Sequence, residues 1–395
     1  MIDFDQALEI VLKNVPAYKK TESVNINECI NRVLAEDIVA DRHFPPFNRV
    51  AMDGYACRKE DIEKELSVVE IIPAGKMPQK KIEVGECSKV MTGCPLPEEA
   101  EMVFMVEISQ ELPENKVKCL DPQKALKSEN FAKIGEDAAK GEIIMLRGTF
   151  VAPKHIPAIA SCGYGKLKVM KKPVVGIIAT GDELVEPHEI PLPHQIRNSN
   201  SYQLAAQVKR AGGEPKYYGI VADDLKKTEN VIKKGQVDCD IILMSGGVSA
   251  GDFDFVAQSL VKAGFNVIFD AVSVKPGKPT TFAVSKDAIC FGMPGNPVST
   301  FVIFETIVKP FIMKMTGSDE QAKRIKMRLD TPFKRKKTER TEFIPVKINN
   351  DGKVEVVRYH GSGHLTSLIE ADGIIKIEKG VNEISANSLI EVLFI

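Results

Sequence analysis

The chain has no tryptophan, and aromatic residues make up only 6 % of its 395 residues. Cysteine occurs eight times, at 29, 57, 87, 94, 119, 162, 239 and 290, but never as a C-x-x-C pair. That spacing excludes a zinc knuckle and a thioredoxin-like redox motif. Thiols this sparse point to a reducing, cytoplasmic setting. Charge of neither sign is in excess, since 53 Lys and Arg face 54 Asp and Glu. A nucleic-acid binder carries a basic surplus, so no nucleic acid is expected as a partner. No apolar run is long enough to span a bilayer, so no membrane partner is expected either. The opening Met1-Ile-Asp-Phe-Asp5 lacks the basic and apolar regions of a signal peptide, in keeping with a cytoplasmic protein. The histidines show no ligand spacing. His360 and His364 are separated by Gly361 and Gly363, which argues against a helical zinc pair. Internal repeats and low-complexity segments are absent.

What is present is ordinary globular composition, 44 % hydrophobic and 27 % charged, at a length that allows two to four domains. Residues 3–18 show the apolar spacing of an amphipathic helix, with Phe4, Ala7, Leu8, Val11 and Leu12 on one face and Pro16 to end it. A proline-led extended segment, Phe44 to Tyr55, comes next. From there to about residue 150 the pattern is short strands separated by turn clusters such as Pro73-Ala-Gly75 and Cys94-Pro-Leu-Pro97, which predicts a β-rich domain. Lys171-Lys-Pro173 marks a boundary. Beyond it, strands and helices alternate up to a long apolar helix from Pro297 to about Met315, which predicts an open α/β sheet. Lys323–Arg340 is dense in basic residues, and such a strip is more often a solvated face than an anion site. Residues 341–395 read as short strands of a small β-barrel.

The chemistry collects in the loops of the α/β region. Ser245-Gly-Gly-Val-Ser-Ala-Gly-Asp-Phe-Asp254 lies between an apolar strand and a helical pattern. Gly246, Gly247 and Gly251 allow close backbone approach to a ligand, and bare N–H groups there suit an anion. Asp252 and Asp254 would repel a lone anion, so a divalent cation bridging carboxylate and phosphate is the natural reading. A tight turn with an aspartate cap remains the alternative. Thr180-Gly-Asp-Glu183, Lys275-Pro-Gly-Lys-Pro279 and Gly292-Met-Pro-Gly-Asn-Pro297 are also polar, glycine-bearing loops. Ligands of open α/β sheets sit beyond the carboxyl ends of the strands, so these loops are expected to form one rim. Glu183 and Asp252 would supply its acids, and Lys275 and Lys278 its cations, a combination suited to a phosphorylated or oxyanionic substrate. A structural salt-bridge network is the alternative. Pro294 and Pro297 shape a loop that presents Asn296. Asn198-Ser-Asn200 opens a helix and reads equally as a cap. In the β-rich region, Met52-Asp-Gly-Tyr55 and Met91-Thr-Gly93 are compact polar turns.

Taken in order, these segments resemble one family, the molybdopterin molybdotransferases (the MoeA/gephyrin E-domain family). The matching segments are Ala51-Met-Asp-Gly-Tyr-Ala56, Val90-Met-Thr-Gly93, Gly135-Glu-Asp137, Thr180-Gly-Asp-Glu-Leu184 and Arg197-Asn-Ser-Asn200. Ser245-Gly-Gly-Val-Ser-Ala-Gly-Asp252, Lys275-Pro-Gly-Lys-Pro279 and Met293-Pro-Gly-Asn-Pro297 complete the series. The resemblance implies a multidomain α/β plus β subunit. Its parts would be a linker domain of 1–40 and 141–170, a β-rich inserted domain of 41–140, an adenylyltransferase-like molybdopterin-binding domain of 171–320 and a C-terminal β-barrel of 321–395.

The resemblance also implies a homodimer with each active site between subunits. The substrates would be molybdate and adenylylated molybdopterin, AMP would be released, and Mg²⁺ or another divalent cation would be required. Glu183 and Asp252 would hold the cation, and Lys275 and Lys278 the molybdate or phosphate charge. Asp53 and Thr92 would reach in from the partner subunit. Asp137, Asp224, Ser245, Gly246, Gly247, Gly251, Pro294, Asn296 and Pro297 would line the substrate. A molybdopterin adenylyltransferase and molybdoenzymes would be its functional partners. An adenylyltransferase step or a dimeric scaffold are the alternatives. The chain departs from the family pattern at Val50, often a serine, and at Ala132-Lys-Ile134, often an arginine cluster.

Overall fold

Beyond Pro173, runs of Val and Ile alternate with amphipathic helices. In the computed structural model, which describes residues 1–246, 255–318, 324–357 and 365–395, these runs form a six-stranded sheet. The strand order is Glu214–Val221, Val174–Thr180, Ile241–Ser245, Ile289–Met293, Thr281–Val284 and Asn266–Phe269. The first four are mutually parallel, and only Thr281–Val284 runs against the rest. Side chains alternate between the two faces. Ile177, Ile241, Leu243, Phe291 and Met293 enter one apolar core, while Ile178, Ile242, Met244 and Cys290 enter the other. Both faces are therefore covered, which is why Ile241–Ser245 and Ile289–Met293 are buried along their whole length.

The helices Asn200–Arg210, Leu225–Asp238 and Phe255–Lys262 return the chain between strands. The expected long apolar helix is a helix Pro297–Ile303, a π turn Phe304–Val308 and a helix Lys309–Met315, joined without a break. The N-terminal helix spans Phe4–Lys13, shorter than its apolar spacing predicts. Asn14 ends it ahead of Pro16, its side-chain amide donating to the Ile10 carbonyl at 2.9 Å. Phe4, Ala7 and Val11 are buried in the same core as one face of the α/β sheet.

A seven-stranded sheet gathers the C-terminal strands Arg324–Arg328, Thr341–Ile348, Val354–Val356, Gly373–Ile377 and Leu389–Phe394. Two further strands come from elsewhere in the chain. Val272–Lys275 pairs in parallel with Thr341–Ile348, and Ile2–Asp3 pairs with Val272–Lys275. This corrects one expectation. The Lys275–Pro279 loop does not leave a strand of the α/β sheet, because the strand before it belongs to the C-terminal sheet.

Contacts divide the chain into two units, one of Met1–Glu36, Gly148–Pro153 and Lys166–Ile395, the other of Asp37–Arg147 and Lys154–Gly165. The second unit is built on a six-stranded sheet in the order Met102–Met105, Gly54–Cys57, Glu86–Val90, Glu65–Ile72, Lys116–Cys119 and Ser109–Leu112. Tyr55 stacks on Phe104 at 5.3 Å between ring centroids within its core. Gly54, one residue earlier, pairs with Met105 in this sheet, where a Cβ would lie 2.1 Å from the Phe104 carbonyl oxygen. Backbone cannot yield as a side chain does, so Gly54→Ala is expected to cost this unit roughly 3 kcal/mol. A urea-denaturation midpoint equal to that of the wild type would refute the close approach.

Candidate functional site

Parallel pairing places the carboxyl ends of Val174–Thr180, Ile241–Ser245 and Ile289–Met293 side by side. The loops that leave them enclose a cavity of about 120 Å³. Thr180 and Glu183 line it from the first strand, Ser245 and Gly246 from the second, and Gly295, Asn296 and Pro297 from the third. Arg197, Asn198, Ser199 and Asn200 close it on the remaining side.

The cavity depends on a crossing of backbones. Gly246 has φ +97°, and a Cβ there would lie 2.1 Å from the Thr180 carbonyl oxygen. Only glycine allows this approach and this dihedral together. Gly181, φ +146°, lets the Glu183 carboxylate fold back over it, so closely that a Cβ at 181 would meet Glu183 Oε2 at 2.5 Å.

Asn200 ties the ends of the second and third strands to the helix it opens. Its amide Nδ2 donates to Ser245 Oγ at 2.8 Å and to the Gly295 carbonyl at 2.6 Å. The carbonyl bond fixes the orientation of the amide, because a carbonyl only accepts. Asn200 Oδ1 and Thr180 Oγ1 are then buried without a hydrogen-bond partner. Buried polar atoms are normally paired, and the exceptions gather where function needs them. Asn198, not Asn200, supplies the capping oxygen, accepting the Ser201 N–H at 3.2 Å while its own amide donates to the Tyr217 hydroxyl. Glu186 accepts hydrogen bonds from Tyr217 at 2.7 Å and Tyr202 at 2.9 Å and so braces the wall beside the cavity.

The electrostatics are two-sided. The Asn200–Arg210 helix and the helical run from Pro297 both begin at the cavity, so their positive ends face it, with Arg197 alongside. Asp182, Glu183 and Asp223 gather at the adjoining strand ends, where Asp182 accepts the Asp223 N–H at 3.1 Å. Desolvation, with the charges of Asp182 and Glu183, pushes the Asp223 carboxyl above the usual range. The oxygen-rich donors at this edge suit a hard divalent cation. Among the described residues no group of three or more His, Cys, Asp or Glu side chains is placed to hold a metal ion.

Of the residues expected from sequence, Glu183, Ser245, Gly246, Asn296 and Pro297 come together at the cavity. Pro294 is buried behind it, its carbonyl accepting the Thr300 hydroxyl. Gly247, Gly251 and Asp252 lie outside the described residues. Asp224 caps the Leu225–Asp238 helix, accepting the Lys227 N–H at 2.7 Å. Lys275 and Lys278 do not line this cavity. Lys275 Nζ instead pairs with Glu342 at 2.6 Å, and the Lys278 carbonyl accepts the N–H groups of Val272 and Thr280, which folds the loop back on itself.

Asp53, Thr92 and Asp137 belong to the Asp37–Arg147 unit. There Asp53 Oδ1 accepts both the backbone N–H and the hydroxyl of Thr92, each at 2.7 Å. Asp137 is exposed, its N–H donating to the Phe44 carbonyl. Sequence reasoning placed Thr180 in a rim loop and Arg197 in a matching segment but gave neither a site role, and it missed the cross-linking role of Asn200. The segment Arg197-Asn-Ser-Asn200 was visible, but its polar residues read as a cap.

Three family descriptions match in chain order: MoeA N-terminal region (domain I and II) over residues 2–163, probable molybdopterin binding domain over 176–314, and MoeA C-terminal region (domain IV) over 326–395. The chain is 34 % identical to the molybdopterin molybdenumtransferase of Bacillus subtilis, across 95 % of this chain and 90 % of that one. It is 31 % identical to the molybdopterin molybdenumtransferase of Haemophilus influenzae, across 99 % and 98 %. The crystal structure of a molybdopterin biosynthesis moeA protein from Pyrococcus horikoshii covers the whole of both chains with a TM-score of 0.85 and 31 % identity.

The Asp53–Thr92 pair generates a test of its own. The Thr92 backbone N–H, and after it the hydroxyl, hold the Asp53 carboxyl below the usual carboxylate range. Thr92→Val removes the hydroxyl bond and keeps the backbone one, so the Asp53 titration is expected to move part of the way back up. Carboxyl-carbon NMR against pH reads this directly, and an unmoved titration would dismiss the hydroxyl's role.

Proposed function

The chain belongs to the MoeA family of molybdopterin molybdenumtransferases, and we propose that it inserts molybdate into adenylylated molybdopterin with release of AMP. It is a transferase of molybdenum cofactor biosynthesis. The observation that carries the finer reading is the cavity at the strand ends. It joins two helix N-termini and Arg197, which favour phosphate, to the Glu183 carboxylate, which favours a cation. A nucleotide diphosphate bridged by a divalent cation needs both.

In this reading the positive ends of the two helices and the Gly246 turn bind the phosphate oxygens and orient the anhydride. Asn200 keeps the three loops in register, and Arg197 neutralises charge at the rim. Glu183, together with Asp252, would hold the divalent cation, proposed as Mg²⁺ for its preference for oxygen. When bound, such an ion would supply Lewis-acid polarisation of a phosphoryl oxygen. Ser245, Gly247, Gly251, Asn296 and Pro297 complete the lining, with Pro294 setting the loop. Asp137 and Asp224 are assigned to the edge of the same cleft.

Lys275 and Lys278 receive the molybdate oxyanion. Asp53, kept ionised by Thr92, enters from the second subunit of a homodimer, and Thr92 with it. The protein would work in the cytoplasm, taking its adenylylated substrate from a molybdopterin adenylyltransferase and handing the product to molybdoenzymes. No helix among the described residues is long and apolar enough to cross a membrane.

The deciding measurement is AMP release from adenylylated molybdopterin and Mg²⁺, with and without molybdate. Molybdate-dependent release is expected, and consumption of ATP on molybdopterin instead would move the protein to the adenylyl-transfer step. Glu183→Gln keeps the side-chain volume but removes the charge, and it is expected to lower kcat/KM on the order of 100-fold. Excess Mg²⁺ should restore part of that loss. A variant as active as the wild type would remove Glu183 from the site.

A further inference from the structure

The two helices that begin at the cavity are joined along their length by a polar seam inside an apolar core. On the Asn200–Arg210 helix, Gln203, Gln207 and Arg210 are spaced to share one face. On the helical run from Pro297, the facing positions are Pro297, Phe301, Glu305 and Lys309, each four residues from the last. Gln203 Nε2 donates to the Pro297 carbonyl at 3.3 Å and to Gln207 Oε1 at 3.4 Å. Gln207 Nε2 donates to the Phe301 carbonyl at 3.3 Å and to Glu305 Oε1 at 2.7 Å. Arg210 Nη2 also donates to Glu305 Oε1, and Lys309 Nζ lies 3.6 Å from Glu305 Oε2. Glu305 is 2 % exposed.

Nothing in simple packing calls for this arrangement. The surrounding contacts are apolar: Leu204, Val208, Val298, Val302 and Ile303 bury one another in the same core. Apolar surfaces hold helices together but tolerate small slides along the axis. A ladder of hydrogen bonds at fixed intervals does not, and a charge buried as deeply as that of Glu305 cannot lose its partners cheaply. The π turn Phe304–Val308 contains Glu305, and the Phe301 carbonyl that Gln207 contacts lies within one turn before it. A π turn inserts one residue into the helical ladder and rotates the segment before it relative to the segment after it. The segment before it here carries Asn296 and Pro297, which form a wall of the cavity.

We propose that Gln207 and Glu305 are positioning residues that set the axial register between the two helices, and through it the spacing of the cavity's walls. The proposal rests on the reading of that cavity as the seat of the substrate's phosphates. Neither residue lines the cavity, so any effect on binding must pass through the helices.

The test compares two near-isosteric variants. Gln207→Met removes both donated bonds and leaves Glu305 its two cations. Glu305→Gln keeps an acceptor for Gln207 and Arg210. The readouts are KM and kcat for molybdate-dependent AMP release, the Kd of inorganic pyrophosphate by calorimetry, and the melting temperature. Gln207→Met is expected to raise KM and the pyrophosphate Kd about tenfold, with kcat changed by no more than about twofold. Glu305→Gln should stay within about threefold of the wild type in both. If Gln207→Met melts earlier but keeps the wild-type KM and Kd, the seam is packing alone and the proposal falls. It falls equally if Glu305→Gln, which keeps the acceptor for Gln207, loses as much binding as Gln207→Met, because the buried charge and not the hydrogen-bond register would then set the walls. Absence of AMP release from the wild-type protein would sink the assigned reaction instead, and the pyrophosphate comparison would still decide the seam.

Discussion

The crossing of Gly246 over the Thr180 carbonyl is the constraint on which the rest of the site depends. Two neighbouring parallel strands end at the same level, and the loop leaving one must pass over the end of the other. With any side chain at 246 the two strand ends would have to part, since the contact is with backbone. Held this close, they bring Ser245 within reach of Asn200, and Asn200 within reach of Gly295. One carboxamide then links three loops that are distant in the chain. The cavity arises from a backbone approach and a hydrogen bond, and the residues that would touch a ligand are placed by those two.

The same geometry sorts charge. In a parallel sheet the chain returns through helices, so helices that come after these strands start at the carboxyl edge and bring their positive ends with them. The acids lie at that edge too, on the loops after Val174–Thr180 and Glu214–Val221. An anion alone would find Glu183 repulsive, and a cation alone would find the helix ends repulsive. The pair is accommodated when each screens the other, so the site favours a charge-balanced ligand over either free ion.

Much of this was legible in the sequence. The apolar strand runs, their alternation with helical patterns and the glycine loops after them pointed to the sheet and to the edge where a ligand is expected, because apolar runs and turn chemistry are local properties. The Lys275 loop was misplaced for the opposite reason. Val272–Val274 reads like any short buried strand, and nothing within it says that its partners are Ile2–Asp3 and Thr341–Ile348, far away in the chain. The helix of Phe4–Lys13 stops earlier than its apolar spacing because Asn14 caps it, a bond that hydrophobic periodicity does not report. The segment Asn198-Ser-Asn200 read as a cap because caps and cross-linking amides use the same residue types. Asn198 does cap the helix, and only the fold shows that Asn200 beside it links loops instead. The π turn was hidden inside a run that reads as one long apolar helix, because a one-residue insertion in the helical ladder leaves no mark in composition.

The corrected position of Lys275 changes how its charge must be understood. Glu342 is nearly buried and carries two cations, Lys275 at 2.6 Å and Arg335 at 3.2 Å. The Arg335 side chain is only 6 % exposed, and three further hydrogen bonds go to the carbonyls of Val381, Arg340 and Glu378, which commits it to the C-terminal region. Arg340 completes the clamp by donating to the Val274 carbonyl, one residue before Lys275. One carboxylate between two cations leaves a net positive charge, and Lys275 is the exposed member. The ion pair therefore does not cancel Lys275. It anchors the base of a cation whose outer side stays open to water, where the C-terminal sheet meets the loop that packs Gly277 against Ile303. A lysine held in this way has less rotamer freedom left to lose when an oxyanion arrives than a free surface lysine has. If Lys275 receives an oxyanion as proposed, the C-terminal sheet is part of what presents it, even though none of the residues that line the cavity comes from that sheet.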